Sequence, residues 1–258
     1  MIQLKIEKYM NKEIPHHIVF PLQSNGEAII FYHGWSSSVE KQMTRAAWLA
    51  LHGYTVYLPE AIYHGTRNPL SDYFSVSVYS LFWETIFQNM KEFPLFLDLL
   101  HHDGYDKPII MGHSMGGFSA LGIGSAYGKQ VKAVVSMNGS GDWLLSHLFM
   151  QARFAVDAGP HWPFYEKIAN ASPMKHIKEL VKMPILLLNG ESDITVDPRA
   201  QAHFYDTLRK ESNQVYQVTY PRLGHFVTTN MMDQAVEWLE NIKSVSYTHL
   251  TLPTTERV

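Results

Sequence analysis

The residues best equipped for chemistry lie in Gly112-His113-Ser114-Met115-Gly116-Gly117. Ser114 stands between an apolar run, Pro108–Met111, that reads as a buried strand, and a small-residue run, Met115–Tyr127, that reads as a close-packed helix. A serine on so tight a strand-to-helix turn is held in strained backbone geometry with its hydroxyl projecting above the sheet. Glycines two positions to either side keep strand and helix from colliding. A plain glycine-rich turn is the alternative, and the strand–turn–helix setting argues against it.

A serine hydroxyl is a weak nucleophile until a base takes its proton, so a carboxylate and a histidine should follow in the order serine, acid, histidine. The strand near Pro184–Leu188 runs into Asn189-Gly190-Glu191-Ser192-Asp193, and the strand near Tyr216–Thr219 runs into Leu223-Gly224-His225-Phe226. Asp193 is the preferred acid, with Asp197 and Glu191 as competitors, and His225 is the preferred base among 14 histidines. His113 reads as a packing neighbour of the nucleophile. His101-His102-Asp103 invites a metal reading, but adjacent histidines point apart and no spaced third ligand follows, so no metal is expected. An oxyanion needs two N–H donors. Met115 supplies one, and the loop His33-Gly34-Trp35 after strand Ala28–Tyr32 is expected to supply the other from Trp35, whose indole would wall the acyl pocket or else cap the core.

These groups need a scaffold, and the composition permits one. The chain has 258 residues, 46% hydrophobic and 17% charged, which suits a single globular domain, assigned to residues 1–244. A net charge of −3 offers no broad positive field, so neither nucleic acid nor a membrane surface is expected as a partner. Absence of cysteine removes thiol chemistry and disulfides. Without an unbroken apolar N-terminal segment or an 18-residue apolar run, a cytoplasmic protein is expected. Residues 245–258, containing VSYTHLTLPTT, resemble a translated sequencing-library adapter and are expected to have no structure of their own.

Along the domain, strands are expected near Gln3–Lys8, His16–Pro21, Ala28–Tyr32, Thr55–Leu58, Pro108–Met111, Ala133–Ser136, Ile185–Leu188 and Tyr216–Thr219, the first two as an antiparallel edge pair. One helix follows a capping pair, Ser37 and Glu40, and ends at Gly53. A second carries Phe82, Ile86, Met90 and Phe93 until Pro94 breaks it, with a short helix continuing to His101. A final helix carries Met232, Ala235, Val236 and Leu239. Strands alternating with helices imply an α/β fold with a mostly parallel sheet covered on both faces. Residues 139–183 show no strand signal and many large apolar groups, which points to a helical insertion. It would lie over the end of the sheet where ligands bind, with Trp143, Phe149 and Phe154 facing substrate; simple core packing is the alternative. In that case the pocket would fall to Trp35 and the loop Ile62–Phe74.

The chain resembles an α/β-hydrolase over about Met1 to Lys243. Phe31-Tyr32-His33-Gly34-Trp35-Ser36-Ser37-Ser38, Leu58-Pro59-Glu60-Ala61 with His64-Gly65, the serine motif and Met137-Asn138-Gly139-Ser140 carry the likeness. Together they resemble small bacterial carboxylesterases related to dienelactone hydrolase and to the catalytic domain of prolyl oligopeptidases. The resemblance implies an eight-stranded sheet, a serine esterase without cofactor, Ser114, Asp193 and His225 as triad, and Trp35 and Met115 as oxyanion donors. Dienelactone hydrolase uses a cysteine, absent here, and the chain is too short for the propeller of the prolyl peptidases, so neither substrate class transfers. His64 and Arg67 match a family feature to which no role is assigned. The expected activity is hydrolysis of a small-molecule acyl ester through an acyl-enzyme. Thioesterase, acyltransferase or small-peptide hydrolase chemistry and a non-enzymatic binding protein are the alternatives, and the oligomeric state is left open.

Overall fold

Parallel strands covered on both faces are apolar at most positions, and the central strands of this chain are built that way. A computed structural model describes the backbone of residues 4–248 and the side chains as far as Ile242. Among them, eight strands form one sheet: β1 (Lys5–Asn11), β2 (Ile14–Phe20), β3 (Ala28–Tyr32), β4 (Thr55–Pro59), β5 (Ile109–His113), β6 (Ala133–Met137), β7 (Ile185–Gly190) and β8 (Val215–Tyr220). Gln3, expected in the first strand, lies outside the described residues. The spatial order is β1-β2-β4-β3-β5-β6-β7-β8, with β2 antiparallel to both neighbours and every other pair parallel.

Alternate residues divide two cores. Ile30, Ile110, Val134, Ile185 and Leu187 face α2 (Tyr79–His102), α3 (Met115–Tyr127) and α7 (Pro198–Arg209). Ile29, Phe31, Met111, Val135, Leu186 and Leu188 face α1 (Met43–Leu51) and α8 (Thr229–Thr248). Each central strand thus commits alternate positions to different layers, and a one-residue register slip would exchange both cores.

Three local expectations are corrected. Helix α2 does not break at Pro94 but runs unbroken for 24 residues. Phe96, Leu97 and Leu100 stay buried beyond the proline. At about 1.5–3 kcal/mol for each buried side chain, they outweigh a proline penalty of about 3 kcal/mol. The first helix is entered through a 3-10 turn, Glu40–Gln42, and the Ser37 hydroxyl is engaged by Gln42 Nε2 (2.7 Å) rather than capping. Gly53, at φ +91°, ends α1 as expected. Helix α8 continues to Thr248, so Val245–Thr248, set aside as unstructured, have helical backbone; extension of an established helix costs little per residue. Residues 249–258 lie outside the described residues. No helix among the described residues is long and apolar enough to cross a membrane.

The insertion between β6 and β7 is helical: α4 (Trp143–Phe154), α5 (Tyr165–Ala171) and α6 (Ile177–Leu180). Two of its aromatics do not face the site. Trp143 is fully buried, with its ring against Trp83 and Phe87 and over Gly122, where a Cβ would overlap the indole. Phe149 lies beneath the Arg199 guanidinium, 4.4 Å from its ring centroid. Both residues fasten α4 to its neighbours, and helical periodicity alone does not tell a core-facing from a pocket-facing stripe. Trp143→Ala is therefore expected to lower stability by about 3–5 kcal/mol. Denaturant unfolding beside an acyl-chain profile checks this: a changed profile with little loss of stability would return Trp143 to the site.

Candidate active site

Strand β5 ends at His113 and helix α3 begins at Met115, so Ser114 alone makes the turn, at φ +57° and ψ −121°. Few non-glycine residues adopt that conformation, and it stores on the order of 1–3 kcal/mol. The sequence supplies what such a turn requires. A Cβ at Gly112 would overlap the Gly116 carbonyl, and one at Gly116 would overlap the Tyr32 carbonyl on the neighbouring strand. The Ser114 N–H donates to the Met137 carbonyl (2.8 Å), which ties the turn to the end of β6.

The serine hydroxyl lies 2.8 Å from His225 Nε2, and His225 Nδ1 lies 2.6 Å from Asp193 Oδ2. The Asp193 side chain is fully shielded from solvent. Its other oxygen, Oδ1, accepts the N–H groups of Thr195 (2.8 Å) and Val196 (3.0 Å), which fixes the carboxylate plane. The competing acids are occupied elsewhere: Asp197 caps α7 and pairs with Arg199, and Glu191 accepts the Arg222 N–H. Asp193 follows β7 and His225 follows β8, so the three groups converge at the carboxyl ends of parallel strands.

Asn138, quoted above only as part of a motif, organises the convergence. Fully buried at φ +47°, it accepts the Gly190 N–H on Oδ1 (2.9 Å) and donates from Nδ2 to the Phe226 carbonyl (3.0 Å). One amide thereby links the segments that carry Asp193 and His225, while the preceding carbonyl holds Ser114. No catalytic pattern in sequence identifies such a residue; its positive φ, which asparagine tolerates better than most residues, shows only in the structure.

The loop after β3 is built around imidazole. The Ala61 N–H donates to His33 Nε2 (3.1 Å), so the ring proton resides on Nδ1, which donates to the Gly34 carbonyl (3.0 Å); burial lowers the His33 pKa and keeps the ring neutral. In a trans peptide the carbonyl and the following N–H point in opposite directions, so fixing the Gly34 carbonyl fixes the Trp35 N–H. The Met115 N–H opens α3, where the first N–H groups have no intrahelical acceptor. His64 and Arg67 now have places. His64 packs against His33, Trp35 and Tyr73 at centroid distances of 4.9, 5.1 and 4.9 Å. Arg67 forms a bidentate pair with Glu92 of α2 and donates to the Glu60 carbonyl, which anchors the loop beneath Trp35.

A cleft of about 230 Å³ opens onto Ser114 and His225. Trp35 and Phe154 line it as expected, whereas Trp143 and Phe149 do not. The remaining walls include Ser36, Tyr73, Phe74 and Val76 before α2, Tyr79 and Phe82 from its first turn, and Met150, Val156, Thr195 and Val196. Phe82 reads in sequence as core stripe; the same stripe lines the cleft at the first turn of α2 and packs in the core further along. Among the described residues no cluster of three or more His, Asp or Glu side chains is arranged to hold a metal ion.

Two expectations follow from this geometry. Asn138→Ala removes both links at once, and a misplacement of about 1 Å costs on the order of 10²-fold in rate, so kcat should fall by that order with KM little changed; a rise in KM alone would contradict it. His113, partly exposed but with Nε2 buried, and His64, fully buried, are held down to about 3, chiefly by desolvation and then by a neighbouring imidazole. The unfolded chain takes up these protons near pH 6.5, whereas the folded chain resists to about 3. Stability is therefore complete above 6.5 and declines as pH falls toward 3, by about 1.4 kcal/mol per pH unit for each group. Urea midpoints at pH 7.5 and 5.0 measure this, and equal midpoints would contradict it.

Known proteins resemble the chain in sequence and in fold. The model of the prolyl oligopeptidase family matches residues 97–244, and that of serine aminopeptidase, S33, matches residues 23–142. The chain is 26% identical over 252 residues to the putative esterase YitV of Bacillus subtilis (strain 168), covering 89% of this chain and 92% of that one. It is 27% identical over 245 residues to esterase YjfP of Escherichia coli (strain K12), covering 90% and 97%. The solved structure of TT1662 from Thermus thermophilus shares the fold, with a TM-score of 0.74 at 18% identity over 93% of this chain and 98% of that one. The first of these matches spans more than half of the chain and takes in Ser114, Asp193 and His225: the chain belongs to the prolyl oligopeptidase family.

Proposed function

We propose that the protein hydrolyses carboxylic esters through an acyl-enzyme on Ser114. The observation that carries this reading is the continuous hydrogen-bonded chain from Ser114 Oγ through His225 to the buried carboxylate of Asp193, at 2.8 and 2.6 Å. As Ser114 Oγ attacks the acyl carbon, His225 Nε2 takes its proton and Asp193 stabilises the imidazolium that forms. The negative charge on the carbonyl oxygen is received by the N–H groups of Met115 and Trp35, at the open end of α3 and on the loop fixed by His33. His225 returns the proton to the leaving alcohol. Water, deprotonated by the same imidazole, then attacks the acyl carbon and frees Ser114.

Two relatives that bear esterase names and align along nearly their whole length support the ester reading over a peptide one. The family description keeps small-peptide hydrolysis as the second reading. Thioester hydrolysis and acyl transfer would use the same three residues.

Purified protein should hydrolyse p-nitrophenyl esters in the presence of EDTA, and a fluorophosphonate should label Ser114. Ser114→Ala and His225→Ala should each lower kcat by several orders of magnitude, with the double variant hardly worse, because the residues act as a unit. Asp193→Asn should also be severe, since an amide favours the wrong imidazole tautomer, whereas Asp197→Asn should be mild. Additive losses, or a more damaging Asp197→Asn, would overturn the assignment.

A further inference from the structure

The cleft beside Ser114 is largely apolar, and apart from the Ser36 and Thr195 hydroxyls the polar side-chain atoms of its walls are engaged with the protein. Trp35 Nε1 donates to the Tyr73 carbonyl (2.6 Å), Tyr73 Oη to the Tyr63 carbonyl (2.7 Å), and Tyr79 Oη lies 2.8 Å from His147 Nδ1. His147 Nε2 lies 2.9 Å from the Ala158 carbonyl and donates to it, which leaves Nδ1 as the acceptor of the Tyr79 proton. Ser75 shares its hydroxyl with Ser77 Oγ (2.8 Å). These aromatics therefore turn ring faces and edges toward the cleft and their donors toward the protein. Among the described residues that line it, none is Asp, Glu, Lys or Arg, and His225 is the one imidazole, already held between Ser114 and Asp193.

Two cations sit close by without joining the lining. Lys41 is exposed and donates to the Ser36 carbonyl, and Arg153 is exposed and stacks over the Phe154 ring at 5.9 Å. Among the described lining residues no carboxylate meets an ammonium group, and Asp72, next to the lip, is taken up by the Phe74 N–H (2.8 Å). The family to which the chain belongs includes peptidases, and an enzyme that removes residues from a free peptide N-terminus must hold the α-ammonium beside the scissile carbonyl. An ion brought into this cleft would lose water and find no charged partner among the described lining residues.

We infer that the cleft is a subsite for an uncharged acyl group of limited size, and that it rejects acyl groups carrying a free ammonium or carboxylate, aminoacyl groups among them. At about 30 Å³ for a water-sized group, its volume holds on the order of six to eight non-hydrogen atoms. Phe74 and Val76 form an exposed apolar lip, 70% and 56% accessible, that receives whatever extends further. The inference rests on the ester-hydrolase reading and defines which esters are turned over.

The test uses three p-nitrophenyl esters of similar shape, the pentanoate, the 4-aminobutanoate and the hemisuccinate, together with a straight-chain series from acetate to dodecanoate. Expected are a kcat/KM for the pentanoate at least 30-fold above both charged esters, and a maximum in the series near six to eight carbons. A charged ester within threefold of the pentanoate overturns the inference, as does a flat profile. Val76→Asp, at an accessible position of the lip, should narrow the gap between the pentanoate and the 4-aminobutanoate at least fivefold while the gap to the hemisuccinate does not narrow; an unchanged ratio to the 4-aminobutanoate counts against the subsite. The two readings fail differently. If no ester is turned over and Ser114 resists fluorophosphonate, the ester-hydrolase reading itself falls. If esters are cleaved without regard to charge, the subsite alone falls.

Discussion

The single residue allowed for the turn between β5 and α3 constrains everything around it. To present its hydroxyl, Ser114 takes a backbone conformation that costs on the order of 1–3 kcal/mol. The turn persists because its surroundings leave no alternative: glycine at 112 and 116 permits close approach of strand, helix and β3, and the Met137 carbonyl takes the serine N–H. Since β5 is central, with β3 on one side and β6 on the other, any relaxation of the turn would be resisted by both neighbours. The reacting group is mounted at the end of a central strand, and its partners are brought to it by loops.

Those loops share their supports. Asn138 joins the segments that carry Asp193 and His225, His33 sets the peptide that carries the Trp35 N–H, and the Arg67–Glu92 pair holds the loop that backs Trp35. Each support is a buried polar contact satisfied at both ends. A missing partner at such a site would cost more than the bond contributes, so these contacts set position more than they add stability. Division of labour is visible here: apolar strands supply the free energy of folding, and a small number of buried amides and imidazoles supply alignment.

Much of this was legible in the sequence. Strand positions followed from short apolar runs bounded by turn residues, and the order of Ser114, Asp193 and His225 followed from which residue types come next after those runs. Legibility ended where three-dimensional context decides. The apolar stripe of α2 continues across Pro94, and the burial beyond it outweighs the local rule. Trp143 and Phe154 lie on one short helix and look equivalent in sequence, yet one fills the space above Gly122 and the other reaches the cleft. Asn138 and His33 were invisible as positioning groups because their task depends on backbone atoms, which carry no sequence signature.

The central claim is that Ser114 carries the acyl group during turnover, and direct capture of that intermediate tests it best. In a stopped-flow mixing of enzyme with a p-nitrophenyl ester, a burst of about one nitrophenolate per chain is expected, followed by slower steady release. Acid quenching during the burst and peptide mass mapping should place one acyl group on the peptide containing Ser114. A burst with the acyl group on another residue, or sustained turnover by Ser114→Ala with no acylated peptide, would contradict the account.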